Sequence, residues 1–363
     1  MTDLSNPIQR AWSRCVAAGM RPEDPVQFEL VSRGALDEID ERHHELIACA
    51  QPHLQLLSRG LAGATDCILL LLDRRGTVIR RYGRIDACAQ DLSVSTRVGI
   101  TLDERCVGAT APSIALAEGA PSIVFGEQHF SSRLNKFHCV AVPIEGRHQH
   151  VTGALNITVF GRAPAFDALA LAVDTARSIE SAILRPAGDV WRFDFHVHPD
   201  WVGSPSGCIL LVGGDGAIVA ANRPARSMLR AEALDLVGCR FDDTFGIDMN
   251  RVFGRLHGSR SGLSEWQTTG GLRVFGRIEL GEEHGVRPGS SMETMEDAGT
   301  SGESVEPPRQ ARGDGPSLQR LSDIEMQCIE AALARVNGNV TSAAHLLGIS
   351  RHTIYRRLKG ARS

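Results

Sequence analysis

The stretch CILLLLDRRGTVIRRYG, residues 67–83, decides the fold of the first half of the chain. Its first seven residues, Cys67–Asp73, form a continuous apolar run that ends in a charge, which is typical of a strand buried on both faces. An Arg-Arg-Gly sequence then interrupts the pattern and predicts a turn. The β-branched and aromatic residues that follow, up to Gly83, predict a second strand. The stretch therefore indicates two consecutive strands of one sheet.

Three more apolar segments predict further strands of this sheet, namely SIVFG, HCVAVPI and TGALNITVF, which begin at Ser122, His138 and Thr152. Apolar residues at helical spacing predict one helix before the strands and another after them. Pro52 is expected to bend or split the first helix, because proline removes a backbone donor. Residues of roughly 35–185 thus predict an antiparallel sheet with an entering and a leaving helix, an α+β unit. The apolar positions of the two helices are Leu36, Ile39, Leu46, Ile47, Leu54, Leu57 and Leu61, and Leu169, Ala172, Ala176, Ile179 and Ile183.

A second, smaller α+β unit is predicted to begin near Gly207. The segment CILLVGGDGAIVAAN reads as two strands around a Gly-Gly-Asp-Gly turn, which is typical of a hairpin. Asn222 is expected to cap the short helix that follows, with Pro224 in its first turn. Farther on, the segment LRVFGRIEL alternates apolar and charged residues from Leu272 to Leu280, so it predicts a half-buried strand.

Composition places the chain among globular proteins. It has 363 residues and a formal charge of -4, enough length for two or three domains. No apolar stretch reaches the roughly 20 residues of a membrane helix, and the N-terminus lacks the pattern of a secretory signal. The nine cysteines are scattered without a C-x-x-C pair, which favours a reducing compartment. A cytoplasmic location without membrane partners is therefore expected.

Residues 281–318 interrupt these patterns with a segment rich in glycine, serine, proline and glutamate. Such a composition buries too little apolar surface to offset chain entropy, so a flexible acidic linker is predicted. Its charge could weakly shield the basic residues that follow, or the segment could be a plain spacer. Screening of exposed charges beyond about 10 Å favours the spacer.

The segment LSDIEMQCIEAALARVNGNVTSAAHLLGISRHTIYRRLKG, residues 321–360, predicts three short helices. Ser322 and Glu325 have the spacing of a capping box at the start of the first helix. Ala344, Gly348 and Ile354 fall where a helix-turn-helix needs a small contact residue, a left-handed turn and a core plug. No acidic residue follows Val340. An ordinary packing module of three helices is the alternative, but the combined features favour a DNA-binding helix-turn-helix.

In such a motif the last helix lies in the major groove, with its N-terminus toward the bases. Arg351 could then contact a guanine through two hydrogen bonds, while Tyr355, Arg356, Arg357 and Lys359 would reach phosphates.

The same segment resembles the helix-turn-helix of the Fis family of bacterial DNA-binding proteins, and especially the C-terminal domain of sigma-54-type enhancer-binding regulators. The resemblance covers the sequence NGNVTSAAHLLGISRHTIYRRLK almost throughout. It implies a dimeric module in which the helix Leu321 to Val336 pairs between subunits. Carried over by position, the resemblance implies a DNA-facing set of Asn339, Thr341, Ser350, Arg351, Thr353, Tyr355 and Arg356.

The first α+β unit resembles the GAF-type sensor of acetoin-catabolism-regulator-like proteins. The matching segments are RHHELIACAQPHLQLL, LLLLDRRGTVIRRYG, CVGATAPSIALAEGAPSIVFGEQHF, FHCVAVPI and GALNIT, together with AWSRC near the start. At Gly108 the chain reads Gly-Ala-Thr-Ala where that family usually has Gly-Thr-Asn. The second unit is similar to a PAS domain. The expected organisation is a helical segment at 1–50, a GAF-like domain at 51–190, a PAS-like domain at 200–280, the linker at 281–318 and the helix-turn-helix at 319–363.

Regulators of this type usually carry a central ATPase, which needs the phosphate-binding pattern G-x-x-x-x-G-K-[ST]. The chain has two lysines, Lys136 and Lys359, and neither follows a glycine. The chain is therefore expected to lack this ATPase, and the resemblance does not extend to it. Repression, or activation by ordinary contact with RNA polymerase, both remain open for a regulator of this kind.

Two groups of residues are candidates for ligand chemistry. In FDFHVHPDW, Asp194, His196 and His198 lie on one face of an extended segment, where they could hold a metal or form a hydrogen-bonding junction; the junction is favoured, because further ligands are not indicated. The second group is His129, His138 and Cys139, with Cys106 upstream, which could gather around the sensor pocket. Cys139 is expected to face the core, and redox, metal or haem chemistry of the group is the alternative. Cysteine-based methionine sulfoxide reduction is a further, disfavoured alternative. Ligand-binding candidates in the sensor are Cys106, Thr110, Phe125, His129, Phe130 and Cys139.

The sequence therefore predicts a cytoplasmic transcriptional regulator without enzymatic activity and without a metal or cofactor. A homodimer is favoured, because two recognition helices about 34 Å apart would read an inverted repeat in double-stranded DNA. The expected effector is a small molecule bound by the sensor. The alternative function is an interaction protein that heterodimerises with full-length sigma-54 activators and modulates them.

Overall fold

The computed structural model of the protein describes residues 6–26, 28, 33–63, 67–83, 90–229, 236–247, 262–281 and 340. Apart from 187–189 and 340, these residues belong to one compact unit, Met1–Pro186 with Val190–Gly281. Within it we call residues 6–186 the first body and residues 190–281 the second body. In the described ranges, no helix combines the length and the apolar character needed to cross a bilayer.

Three helices precede the first sheet: α1 (Pro7–Ala17), α2 (Arg33–Arg42) and α3 (His44–Gly60). Pro52 was expected to bend or split the helix, and the split is wrong, because Pro52 lies inside α3. The chain instead breaks at His43, whose Nε2 lies 3.4 Å from Oδ2 of Asp73. Pro52 is tolerated since it is exposed. Water can then reach the carbonyl that proline leaves without a helical partner.

The first sheet is antiparallel and has the strand order β2-β1-β5-β4-β3. The predicted strands and the α+β class are confirmed. All seven side chains of β1 are buried, as the apolar run in the sequence requires. The strand bounds are β1 (Cys67–Asp73), β2 (Val78–Tyr82), β3 (Ser122–Phe125), β4 (Phe137–Glu145) and β5 (Val151–Phe160).

Helices cover both faces of this sheet and create two cores. One core lies under α1 and two short helices, α5 (Glu104–Val107) and α6 (Ala111–Glu118). The other core lies under α3 and α7 (Ala168–Ile183), the predicted leaving helix. A further short helix, α4 (Gln90–Ser95), follows β2. Alternate side chains of β4 and β5 therefore enter different cores.

The second sheet has the order β8-β7-β6-β10-β9, again with antiparallel neighbours. Its strands are β6 (Trp191–His196), β7 (Cys208–Val212), β8 (Ile218–Ala221), β9 (Ser264–Gln267) and β10 (Arg273–Leu280), with the helices α8 (Arg223–Met228) and α9 (Phe241–Phe245). The predicted hairpin is present, and Asn222 caps α8 by accepting from the N–H of Ala225 at 3.0 Å. The sheet also contains β6 at its centre, ahead of the predicted beginnings near Gly207 and at residue 200. The second unit therefore begins earlier than either predicted start, because β6 pairs with β7 and makes residues 191–196 part of this sheet.

Candidate functional site

The first core encloses a small cavity of about 30 Å³, between the sheet and the segment that carries α5 and α6. A cavity of this size holds about one or two water molecules, so a larger guest requires the surrounding segments to adjust. Among the described residues, the lining contains no acidic or basic side chain other than one histidine. The lining residues are Phe28, Leu70, Ser95, Thr96, Leu102, Val107, Thr110, Pro112, His129, Leu134, Phe137, Cys139, Asn156 and Thr158.

His129 supplies one polar atom to this cavity. The residue is 2% exposed, and its Nδ1 lies 2.9 Å from the carbonyl oxygen of Gly126. A carbonyl can only accept, so Nδ1 carries the ring proton and donates. Burial lowers the pKa of His129 to about 4, which the bond to Gly126 only partly opposes, and the ring is neutral near pH 7. The Nε2 atom is therefore an acceptor, and it has no partner among the described residues.

Asn156 on β5 supplies the second polar atom. It is 1% exposed, and its Nδ2 donates to Oγ1 of Thr158 at 2.6 Å. That hydroxyl lies 3.4 Å from Sγ of Cys139 on the neighbouring strand. The Oδ1 atom of Asn156 remains without a partner in the described part of the chain. A buried acceptor that lacks a donor costs about 1–3 kcal/mol, so the cavity favours a guest that can donate to it.

Burial also determines the chemistry of Cys139, because it raises the pKa of this thiol to about 12, against a smaller effect of Thr158. The thiol is therefore protonated near pH 7 and is a poor nucleophile. Together, the lining offers two neutral acceptors, a protonated thiol and the hydroxyls of Ser95, Thr96, Thr110 and Thr158. This arrangement suits an uncharged guest, because a buried charge would find no opposite charge among the described lining residues.

Three of the six predicted ligand-binding residues line the cavity, namely Thr110, His129 and Cys139. The hydroxyl of Thr110 is engaged in capping α6, where it exchanges hydrogen bonds with Ser113. The other three residues lie elsewhere. Cys106 is exposed on α5, and Phe125 contacts the opposite core of the sheet. Phe130 packs edge-on against Trp12 within the first core without lining the cavity.

Asn156 and Thr158 are absent from the residues predicted from the sequence. In GALNITVF they alternate with Leu155, Ile157 and Val159, which is the pattern of a half-buried strand with its polar face toward water. That face is instead buried, and Ala154 on it is part of the core that surrounds the cavity. The local pattern therefore gives no signal for these two residues.

The segment before the sheet covers the cavity side of the first body. Trp12 donates from Nε1 to the carbonyl of Gln128 at 2.9 Å. Arg14 forms two hydrogen bonds with the carboxylate of Glu104, at 2.7 and 2.8 Å. Ser132 donates its backbone N–H to Pro22 at 2.9 Å. Trp12 and Arg14, in the segment AWSRC, are thus part of the wall that closes the first core.

The candidate group in FDFHVHPDW, Asp194, His196 and His198, has a structural role in the described chain. The carboxylate of Asp194 lies 2.7 Å from Nη2 of Arg192, and both side chains are buried. Nδ1 of His196 accepts from the backbone N–H of His198 at 3.0 Å, and the His196 ring stacks on Trp201. Among the described residues, no group of three or more His, Cys, Asp or Glu side chains has the arrangement of a metal site.

The predicted DNA-facing residues lie outside the described residues, so their evidence comes from comparison. Residues 320–360 match the family described as "Bacterial regulatory protein, Fis family". This match confirms the Fis-type helix-turn-helix that the sequence predicted. The residues concerned are Asn339, Thr341, Ser350, Arg351, Thr353, Tyr355, Arg356, Arg357 and Lys359.

Two curated proteins resemble a longer part of the chain. The acetoin catabolism regulatory protein of Cupriavidus necator is 28% identical over 249 residues, which are 66% of this chain and 37% of that protein. The acetoin dehydrogenase operon transcriptional activator AcoR of Bacillus subtilis is 25% identical over 155 residues, which are 43% of this chain and 26% of that protein. The predicted resemblance to acetoin-catabolism regulators with a Fis-type segment is confirmed. The chain spans well under half of the length of these relatives.

Among solved structures, the DhaR(N)–DhaL complex of E. coli is 17% identical to this chain. The match covers 75% of this chain and 98% of that chain, with a TM-score of 0.46.

Proposed function

We propose that the protein is a DNA-binding transcriptional regulator whose first body senses a small uncharged molecule. The main support for DNA binding is the match of residues 320–360 to the Fis family. The names of the curated relatives, a regulatory protein and a transcriptional activator, support it. They favour a regulator over both the heterodimerising interaction protein and an enzyme. The protein acts in the cytoplasm in this proposal.

The proposed effector is a small alcohol or similar molecule that donates hydrogen bonds. Support comes from the unpaired acceptors of His129 and Asn156, two residues that line a cavity whose described lining carries no charged side chain. A molecule with two hydrogen-bond donors could pair with both acceptors. The cavity is too small for a bulky ligand without movement of α5, α6 or the N-terminal segment. Binding is therefore expected to change how these elements pack.

The proposed organisation follows the resemblance. The first body is a GAF-like sensor that includes α1, and the second body is a PAS-like domain that begins at β6. A linker and a dimeric helix-turn-helix follow. The protein itself does not hydrolyse ATP in this proposal, because neither Lys136 nor Lys359 lies in a phosphate-binding loop pattern. It acts on an inverted-repeat operator, either as a repressor or by contact with RNA polymerase.

The DNA half is tested by measuring the affinity of the full chain for a duplex from the region upstream of its own operon. We expect Arg351→Ala to weaken specific binding by about 10- to 100-fold, because a bidentate guanine contact contributes about 1–3 kcal/mol of discrimination. Arg309→Ala, in the predicted linker, is the matched control and removes the same charge. Equal affinities for the two variants would overturn the proposed docking.

The sensor half is tested separately by thermal shift of the full chain with a panel of small alcohols, diols and carboxylates. Uncharged donors should raise the melting temperature and carboxylates should not. Asn156→Leu, which removes one acceptor at similar volume, should abolish the shift, while Asn135→Leu on the exposed surface should retain it. Stabilisation by carboxylates alone would contradict the uncharged effector without affecting the DNA result.

A further inference from the structure

The first body contains a second opening besides the cavity that His129 and Asn156 line, namely a cleft of about 490 Å³. Its walls are the end of α1, the turn between β1 and β2, and the segment that carries α5 and α6. Small-molecule sites have volumes of about 300–1,000 Å³, so the cleft is large enough for a ligand.

Part of the lining of this cleft is apolar and belongs to the first core. Cys15 and Leu102 are buried there, and Met20 and Leu116 pack against the same core. Leu102 also lines the cavity, so the cleft and the cavity share a wall. The apolar part of a ligand would cover these side chains, and the removal of both surfaces from water would favour binding.

The charged residues of the cleft are mostly cationic. Among the described residues, its lining holds four arginines and two carboxylates. Glu104 is bound by Arg14 through two hydrogen bonds, at 2.7 and 2.8 Å. Asp103 accepts the backbone N–H of Arg105 at 2.9 Å, and its Oδ1 lies 3.5 Å from Nε of that residue. Each carboxylate thus already has a cationic partner, and the other two arginines remain.

These two arginines are Arg74 and Arg75, in the turn between β1 and β2. Both are exposed, and neither guanidinium forms a hydrogen bond or an ion pair with the residues that the structure describes. A guanidinium carries five N–H donors in a planar fork, which matches the oxygens of a phosphate or a carboxylate. Two such groups at one cleft therefore favour a ligand with more than one negative charge.

The turn that carries both arginines is held in place by hydrogen bonds of its backbone. The side chain of Asp73 accepts the backbone N–H groups of Arg75 and Thr77, at 2.9 and 2.8 Å. Leu102 donates its backbone N–H to the carbonyl of Gly76 at 2.8 Å, which joins the turn to the segment before α5. The backbone is thus fixed before a ligand binds, so binding has to order only the arginine side chains.

We propose that this cleft binds a phosphate monoester with an apolar or aromatic body. The phosphate carries a charge of about -1.5 to -2 near pH 7, which matches the two unpaired guanidiniums of Arg74 and Arg75. A carboxylate carries one charge and would leave the second guanidinium without a partner. The body of the ligand lies against Leu102 and Leu116. This site is separate from the cavity proposed for the uncharged effector, and it does not depend on that proposal.

The test is isothermal titration of the full chain with phenyl phosphate, which combines a dianion with an apolar ring. We expect a Kd below about 1 mM at low salt, and weaker binding at high salt because exposed charges are screened. Benzoate keeps the ring but has one charge, and it should bind at least about tenfold more weakly. Inorganic phosphate keeps the charge but lacks the ring, and it should also bind at least about tenfold more weakly.

Variants place the bound probe in the cleft. Arg74→Gln combined with Arg75→Gln removes both guanidiniums and should weaken phenyl phosphate binding at least about tenfold. Arg133→Gln combined with Arg162→Gln removes the same charge from exposed positions outside the cleft and should keep the wild-type affinity. Asn156→Leu alters the cavity but not the lining of the cleft, so it should also keep the affinity.

Three outcomes would overturn the proposal. The first is a wild-type protein that does not bind phenyl phosphate at millimolar concentration, and this result needs no variant. The second is benzoate binding as tight as that of phenyl phosphate. The third is an equal affinity of the two double variants, which would place the probe outside the cleft. The measurement uses neither DNA nor an uncharged effector, so its failure would leave the proposed regulatory function standing.

Discussion

The guanidinium of Arg192 lies 2.7 Å from the carboxylate of Asp194, and both residues are buried, with exposures of 6% and 2%. They are two residues apart on β6, so they share the face of the second sheet that meets the end of α7. Asp194 thereby orients the guanidinium of Arg192, which donates hydrogen bonds to Ser181 at the end of α7. Arg192 joins the two bodies through its bonds to Ser181, at the segment where the sequence predicted a hydrogen-bonding junction that includes Asp194.

Asp194→Ala is expected to destabilise the compact unit strongly. Removal of the carboxylate leaves the guanidinium of Arg192 buried without its counter-charge, which typically costs about 3–5 kcal/mol. The free energy of unfolding from urea titrations would measure this loss. Asp200→Ala removes an exposed carboxylate from the connection after β6 and should change the value by less than about 0.5 kcal/mol. Similar values for both variants would show that the pair does not hold the bodies together.

Gly108 and Gly119 test the packing of the first core. Both have positive φ, but Gly119 is left-handed helical (φ +64°, ψ +21°), which costs an alanine about 1–2 kcal/mol. Gly108 (φ +78°, ψ -172°) has a conformation that essentially only glycine adopts. A Cβ on Gly108 would also meet the Phe130 ring at 2.8 Å, whereas a Cβ on Gly119 meets no atom within 4 Å. Gly108→Ala should therefore cost about 1–3 kcal/mol more than Gly119→Ala in urea unfolding. Equal losses would mean that neither the backbone at Gly108 nor the contact with Phe130 is strained by an alanine.

Local patterns in the sequence predicted most of the strands, since apolar runs and alternation depend only on neighbouring residues. The continuous run of β1 and the alternation of β10 are examples. The alternation of WRFDFH, residues 191–196, likewise indicated an extended segment, but local patterns could not place it at the centre of the second sheet. Its pairing with β10 joins residues far apart in the sequence, and its polar side chains contact α7 and Trp201 rather than water.

The candidate site was predicted only in part for a related reason. His129 and Cys139 were chosen by residue type, and the structure does place both at the cavity. Asn156 matters because its Oδ1 lacks a partner in the described chain, and pairing of this kind depends on distances that a sequence does not contain. Cys106 and Phe125, also predicted to bind a ligand, do not line this cavity, because one is exposed and the other contacts the opposite core.

The buried imidazole of His129 predicts a loss of stability in acid. Its pKa is about 4 in the folded protein, against 6.5 ordinarily, because burial disfavours the charged ring. The unfolded chain therefore binds the extra proton first, and stability falls as the pH drops from 6.5 to about 4, by up to about 3 kcal/mol. Urea unfolding at several pH values should show a shallower decline for His129→Gln than for the wild type. His148→Gln, on the β4–β5 connection, is the control, and an identical decline for both variants would contradict the assignment.

The proposed phosphate contacts predict a specific salt dependence for DNA binding. Each cation that neutralises a phosphate contributes about -0.9 to the slope of log K against log salt for double-stranded DNA. Arg357→Ala should therefore make the slope of the full chain shallower by about 0.9 per subunit bound and weaken all duplexes alike, since phosphates carry no sequence information. Arg351→Ala should instead reduce discrimination between operator and unrelated duplexes. Fluorescence anisotropy from low to physiological salt would separate the two effects, and a slope unchanged in Arg357→Ala would remove this residue from the phosphate contacts.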